Sequence, residues 1–239
     1  MKNRIAIVTG AASGMGEAVT KKFIESGAKV IGFSLENEAS FKHENFNYIK
    51  GDITNFSDCE KVVAYAIEKY GKIDSLVNCA GIVKEGNIET TSSEQFEFVF
   101  KVNTFGTFNI CKAAIPYLKL QKSTIVNISS DMSILPLKDR IAYNPSKAAV
   151  NMLTKCIALD YAPNVRCNAI LPGVIFTPMI QKRLDNSDNP KELMEMYKGL
   201  YPLERIGAVE DIVNGVMFLS STKSDWITGI ELPICGGPI

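Results

Sequence analysis

Tyr143 and Lys147 stand four residues apart, a spacing that brings two side chains onto one face of a helix. Together they could move a proton. Hydride transfer to a carbonyl leaves an oxygen that must collect a proton, so such a reaction needs a fixed acid and fixed donors around that oxygen. A phenol with a reference pKa of about 10 does this poorly unaided, and a neighbouring ammonium lowers that value towards working pH. The spacing alone does not single this pair out, because Tyr65 and Lys69 repeat it.

What separates the two pairs is company. Ser130 stands thirteen residues before Tyr143, just past an apolar strand pattern, where its hydroxyl can hold a substrate oxygen near the phenol. Thirteen residues before Tyr65 lies Asp52, in a different motif. Pro145 disfavours a helical Asn144 and suits a first helical turn, which places the helix start at Ser146 and Tyr143 at its edge, facing a crevice.

The other chemical signal is the run Thr9-Gly10-Ala11-Ala12-Ser13-Gly14-Met15-Gly16 between a strand pattern and a helix pattern. Glycines there allow a sharp turn and let a pyrophosphate approach the backbone at the positive end of a helix. Their spacing, Gly-x-x-x-Gly-x-Gly, differs from the commoner dinucleotide fingerprint. Gly51-Asp52-Ile53 and Asn78-Cys79-Ala80-Gly81 close two further strands. In a doubly wound sheet such strand ends meet at one crevice, and a carboxylate at Asp52 can accept from an adenine amino group.

The elements that must carry these residues alternate along the chain. Strand patterns at Arg4 to Thr9, Lys29 to Phe33, Phe46 to Lys50, Ser75 to Asn78, Ser123 to Ser129, Val165 to Leu171 and Ile230 to Ile234 make seven strands. Helical periodicity occupies Gly14 to Ser26, Ser57 to Tyr70, Ser93 to Leu120, Ser146 to Tyr161 and Val209 to Ser220. Alternation of this kind predicts a Rossmann-like, doubly wound parallel sheet flanked by helices, one α/β domain over residues 1–239. The irregular stretch from about 178 to 204, polar from Asp185 to Pro190 before a short Met-containing helical pattern, reads as a flexible substrate lid.

Composition narrows the class. The chain is 46% hydrophobic and 22% charged, with 26 cationic and 26 acidic side chains and a net charge of zero. That balance suits a globular protein and offers no basic footprint for nucleic acid. No signal-peptide pattern or membrane-length apolar run is present, so a cytoplasmic location is expected. Six scattered cysteines and a single histidine read as reduced thiols rather than metal ligands, so no metal site is expected.

The set Thr9-Gly10-x-x-x-Gly14-x-Gly16, Asn78-Cys79-Ala80-Gly81, Asn103, Ser130, Tyr143-x-x-x-Lys147 and Pro172-Gly173 closely resembles the classical short-chain dehydrogenase/reductase family over essentially the whole chain. The resemblance implies that Tyr143 is the acid/base, that Lys147 lowers its pKa and holds the nicotinamide ribose, that Ser130 orients substrate, and that Asn103 supports a water-linked proton relay. It implies cofactor contacts from Gly10, Ser13, Gly14, Met15, Gly16, Ser34, Leu35, Asp52, Ile53, Asn78, Ala80 and Gly81, and from Pro172, Gly173, Ile175 and Thr177. It also implies a homotetramer, or a homodimer, with the helices at Ser93 to Leu120 and Ser146 to Tyr161 at an interface.

Three departures from the family pattern stand out. Asn78-Cys79 replaces a second asparagine, and Cys235-Gly236-Gly237 replaces a tail that carries aspartate. At the end of the second strand, Ser34 and Leu35 stand where an aspartate would hold the adenosine ribose. No arginine or lysine stands there or at Ser13 to pair a 2′-phosphate, and Glu36 would repel one, which favours NAD over NADP.

The function expected is oxidoreduction of a secondary alcohol or ketone. Met132, Ile134, Leu135, Met179, Leu193, Met194 and Met196 make the stretches around the pocket apolar, which suits a hydrophobic substrate such as a hydroxysteroid. Those residues could equally pack the lid onto the body. A 3-oxoacyl-thioester reductase is an alternative. A catalytically inactive dinucleotide-binding scaffold is a second, disfavoured because serine, tyrosine and lysine are all present. An enoyl reductase fits less well, because such relatives space the tyrosine and lysine more widely.

Overall fold

Strand β1 (Ile5–Thr9) is buried at every position, as a parallel strand covered on both faces requires. Its side chains alternate: Ile5 and Ile7 join the core on one face of the sheet, Ala6 and Val8 the core on the other. In this computed structural model, which describes residues 1–237, β1 pairs in parallel with β2 (Lys29–Ser34) and β4 (Ser75–Asn78). Outside them lie β3 (Phe46–Lys50), β5 (Ser123–Ile128), β6 (Val165–Pro172) and β7 (Glu231–Ile234), in the order β3-β2-β1-β4-β5-β6-β7. All neighbours are parallel. These are the seven strands the periodicity predicts, each end within one residue.

The helices are α1 (Gly14–Glu25), α2 (Phe56–Tyr70), α3 (Ser93–Phe100), α4 (Gly106–Leu118), α5 (Tyr143–Tyr161), α6 (Pro178–Asp185), α7 (Pro190–Gly199) and α8 (Val209–Leu219). Val19 and Phe23 of α1 with Ile212 and Val216 of α8 cover one face. Val62 of α2, Ile110 of α4 and Ile157 of α5 cover the other. Full burial of a large apolar side chain such as Phe23 stabilises the fold by roughly 1.5–3 kcal/mol. Strand order reverses between β1 and β4, and the crevice beyond the carboxyl ends of these strands is where an open α/β sheet takes a ligand.

The structure corrects the sequence in three places, each beside that crevice. The long helix expected at Ser93 to Leu120 is interrupted by a π-helical turn at Lys101–Phe105. Such turns recur at functional sites, and this one buries Asn103. Second, α5 begins at Tyr143 rather than Ser146. Pro145 is then its third residue, where the missing N–H would have had no intrahelical partner. Third, where the stretch from 178 to 204 was expected to carry one short helical pattern it holds two helices, α6 and α7, each opened by a proline at its first position. Asn189 caps α7 by accepting from Glu192 N.

Candidate active site

Gly10 and Gly14 adopt φ of +66° and +56°, the left-handed region that glycine enters without strain. At Gly16 a Cβ would stand 2.2 Å from the Gly10 carbonyl oxygen, so the turn closes only without a side chain. Thr9 Oγ1 accepts from Cys79 N and Ala80 N, both at 3.1 Å, and ties the end of β1 to the end of β4. The Asn-Cys-Ala-Gly turn therefore keeps its backbone despite the cysteine. Burial raises the Cys79 thiol to about 12, so it holds its proton.

These turns open into a hollow of about 310 Å³. Gly10, Ser13, Gly14, Met15 and Gly16 line it on one side, Ser34, Leu35, Asp52 and Ile53 at one end, and Ala80, Gly81 and Thr177 on the other. Open backbone at the start of α1, in a cradle that Cβ atoms would fill, fits a pyrophosphate. Ser34 Oγ donates to Glu36 Oε2 at 2.7 Å, and Glu36 lines the hollow, whereas no lysine or arginine does among the described residues. Asp52 does not stand free, since its Oδ1 accepts from Thr54 N at 2.8 Å. Asn78 is not in the lining: its amide donates to Asn127 Oδ1 at 2.7 Å and to Cys111 Sγ at 3.3 Å, inside the core.

A second hollow, of about 460 Å³, adjoins the first, and Met15, Ile82, Thr177 and Met179 line both. Its wall carries Ser130, Tyr143, Pro172, Gly173 and Ile175. Of the apolar residues expected there, Met132 and Met179 line it, but Leu193 packs with Val174, Tyr197 and Tyr201 instead. The second hollow also carries charge, as Lys84, Glu85, Arg140, Lys182 and Arg183 are part of it. An apolar pocket is therefore only half the description.

The candidate catalytic side chains are held by their neighbours. Ser130 lies just beyond β5 and caps a short turn, its Oγ accepting from Met132 N at 3.1 Å. Lys147 is buried, and its Nζ donates to Ile128 O at 2.9 Å. Nζ lies 5.9 Å from the centroid of the Tyr143 ring, and 3.3 Å from the point a Cβ on Gly81 would occupy. Asn103 clamps the substrate-side loop: its Oδ1 accepts from Ile82 N at 2.8 Å, and its Nδ2 donates to Ile82 O and Ser146 Oγ, both at 3.0 Å. Both Nδ2 hydrogens are thus used, and the Asn103 backbone carbonyl accepts from Thr107 Oγ1 at 2.8 Å.

Burial decides the titration. It pushes the Tyr143 phenol up to about 12, outweighing a hydrogen bond with Ser130 that lowers it; Asp131 raises it further and Arg140 lowers it. Burial pulls Lys147 down to about 8. The expectation that the lysine depresses the tyrosine is therefore not met in the protein alone. Desolvation of a buried pair disfavours both charged forms.

Two groups of residues, most of them in stretches expected to wall the pocket, were given no individual role in the sequence. Behind Ser130, Asp131 Oδ1 accepts from Ser130 Oγ at 3.1 Å and from Met132 N at 2.8 Å, while Oδ2 accepts from Tyr201 Oη at 3.0 Å. Tyr201 Oη in turn accepts from Val174 N at 2.7 Å. Arg140 and Arg183 both meet Glu85 at the rim of the second hollow. Asp131 follows Ser130 directly and Arg140 precedes Tyr143 by three, but residues from four distant segments converge here and no local spacing announces them.

The family model described as enoyl-(acyl carrier protein) reductase matches residues 10–238. The 2-(R)-hydroxypropyl-CoM dehydrogenase of Xanthobacter autotrophicus is 37% identical over 98% of each chain. A 3-oxoacyl-[acyl-carrier-protein] reductase of Thermotoga maritima is 35% identical over 99% of this chain and 98% of that one, and an L-fucose dehydrogenase of Mus musculus 32% identical over 98% and 88%. Among solved structures, the aldohexose dehydrogenase of Thermoplasma acidophilum superposes with a TM-score of 0.92 at 36% identity, covering 99% of this chain and 94% of its own. Fold, strand-end turns and these relatives define the class, and the chain belongs to the short-chain dehydrogenase/reductase family. It is an NAD(P)-dependent oxidoreductase of the kind that interconverts secondary alcohols and ketones.

Proposed function

We propose that Tyr143 exchanges the proton of a secondary alcohol or ketone held by Ser130, with NAD bound along the first hollow. The observation that carries this reading is the junction of the two hollows, where Met15, Ile82, Thr177 and Met179 are shared and Ser130 and Tyr143 form the wall beyond. Bound in the first hollow, the nicotinamide would supply or accept the hydride. In the direction of reduction, Tyr143 arrives protonated, because burial keeps its phenol far above neutral pH. Ser130 holds the substrate oxygen, Tyr143 donates to it, and the Lys147 ammonium beside Gly81 is placed to hold the ribose and offset the phenolate that remains.

Choice of NAD over NADP is supported by Glu36 in a lining without cations, since a 2′-phosphate there would meet a carboxylate and no guanidinium. A relative of known structure, ElxO, 29% identical, carries NADP, so the assay must include both. The segment 178–204 acts as the lid in this reading, because Met179, Ile180 and Arg183 of α6 and Tyr197 of α7 roof the second hollow. Exposed Phe105, Phe108, Met152 and Leu159 on α4, α5 and the π-turn support an assembly of several copies of one chain. No helix among the described residues is long and apolar enough to cross a membrane, and we read the location as cytoplasmic.

The test follows reduced-nicotinamide absorbance with NAD and with NADP against hydroxysteroids, 3-oxoacyl thioesters, polyols and simple ketones. Turnover with NAD that vanishes in Tyr143→Phe supports the reading. Full activity in that variant overturns it, since phenylalanine has no proton to give. The 3-oxoacyl reductase relative makes the thioester arm the second reading to check.

A further inference from the structure

The rim of the second hollow carries more positive charge than its surroundings neutralise. Arg140 and Arg183 both pair with Oε1 of Glu85, the former through Nη2 at 2.8 Å, and Lys84 and Lys182 complete the lining with no further carboxylate. One carboxylate oxygen shared by two guanidiniums leaves most of their donors unsatisfied, since each carries five N–H groups in a planar fork built for oxyanions. Arg140 is only 8% exposed, and a charge that far from water is ordinarily matched one for one. Its other recorded bond is from Nη1 to Asp139 O at 2.7 Å.

Position and rigidity point the same way. Gly86 N donates to Asp139 O and Ile141 N to Gly86 O, at 3.0 and 3.1 Å, which ties the Glu85 loop to the Arg140 segment. Arg140 precedes Tyr143 by three residues, so guanidinium and phenol belong to one rigid piece. Across the hollow, Tyr197 is buried, its Oη lacks any hydrogen-bond partner, and its ring lies 5.8 Å from the Arg183 guanidinium carbon. A buried hydroxyl without a partner, lining a cavity beside two arginines, is a donor awaiting an acceptor.

We propose that Arg140, Arg183 and Tyr197 bind an oxyanion on the substrate, so that this chain acts on a short ketone or secondary alcohol bearing a carboxylate, sulfonate or phosphate at its far end. This rests on the reading that the reacting oxygen lies at Ser130 and Tyr143. Glu85 holds the two guanidiniums in register, and the substrate anion takes the donors that Glu85 leaves free. Because Arg183 is on α6 and Arg140 on the body, the anion also joins the two-helix roof to the floor.

The experiment compares ketones of one chain length ending in carboxylate, sulfonate, phosphate, carboxamide or methyl, with NAD-linked turnover as readout. At least one anionic member is expected to exceed its neutral counterparts about 100-fold in kcat/KM, and which of the three oxyanions leads identifies the group. Arg183→Gln and Arg140→Lys are each expected to cut that preference at least tenfold, chiefly through KM, while Lys191→Gln, an exposed lid cation outside the lining, leaves it intact. Calorimetry on the Tyr143→Phe protein with NAD present separates the two readings: binding of the anionic ketone that weakens in Tyr143→Phe/Arg183→Gln supports the oxyanion site even if nothing turns over. Equal handling of neutral and anionic ketones, or a preference that survives both arginine changes in folded protein, overturns the proposal.

Discussion

Tyr65–Lys69 and Tyr143–Lys147 are the same pair in sequence and opposite in physics. On α2, Lys69 Nζ donates to Tyr65 Oη at 3.0 Å and both reach Asn47 Oδ1, at 2.7 and 2.9 Å, a satisfied network at the edge of the sheet. On α5, Lys147 gives its hydrogen bond to a backbone carbonyl, and the phenol faces a cavity. The surface lysine is pushed up by its tyrosine, whereas burial pulls Lys147 down to about 8. The pair that bonds internally is the one at the surface, and the pair beside a cavity is the one whose lysine bonds elsewhere. A phenol and an ammonium become useful when water is removed and their donors are left for a substrate.

The comparison can be broken most directly by removing each hydroxyl. Tyr143→Phe is expected to lower kcat by about 10²–10⁴-fold, the usual contribution of a positioned acid, while Tyr65→Phe leaves kcat within twofold. Equal losses in a spectrophotometric assay would mean that the setting of the pair is irrelevant.

The lysines sharpen it through pH. Lys147 has a folded pKa of about 8 against an ordinary 10.5, so the unfolded chain binds the extra proton between those values and stability rises with pH across that window. Below pH 8 the buried ammonium is a burden. Lys147→Met is therefore expected to be about 10²-fold less active yet more heat-stable than the parent at pH 7, with the advantage shrinking from pH 8 to 10.5. Lys69→Met has the opposite sign, because that pKa is raised and its stabilisation is present below the ordinary value. Melting curves of both variants at pH 7 and 10 check this.

Smaller effects come from the supports. Tyr201→Phe deprives Asp131 of a donor and leaves Val174 N without its acceptor, costing about 1–3 kcal/mol of stability. By loosening Ser130 it is also expected to lower kcat/KM about tenfold. Asn47→Ala, the matching support of the surface pair, is expected to cost about 1 kcal/mol in denaturant unfolding with no kinetic change.

Much of the molecule was legible from local pattern. The seven strands and the glycine turn follow from short apolar runs alternating with helical periodicity and from glycines, which enter φ of +56° to +66° without strain. Ser130, Tyr143 and their shared cavity followed from a strand end and a helix edge. The π-turn at Lys101–Phe105 did not, since it depends on Asn103 meeting Ile82 and Ser146. Asn78 was expected among the cofactor contacts with Ala80 and Gly81, and its side chain turns into the core.

What the sequence by itself determined is the order of the elements and the backbone turns at their ends, because these rest on contacts a few residues apart. Tertiary structure alone decided which way the titrations move and which charged groups meet at the second hollow. The Tyr143 pKa depends on how much protein closes over it. The charged rim depends on Glu85, Arg140, Arg183 and Tyr197 arriving together from four separate segments. Desolvation and convergence are properties of the packed whole, and no local spacing encodes them.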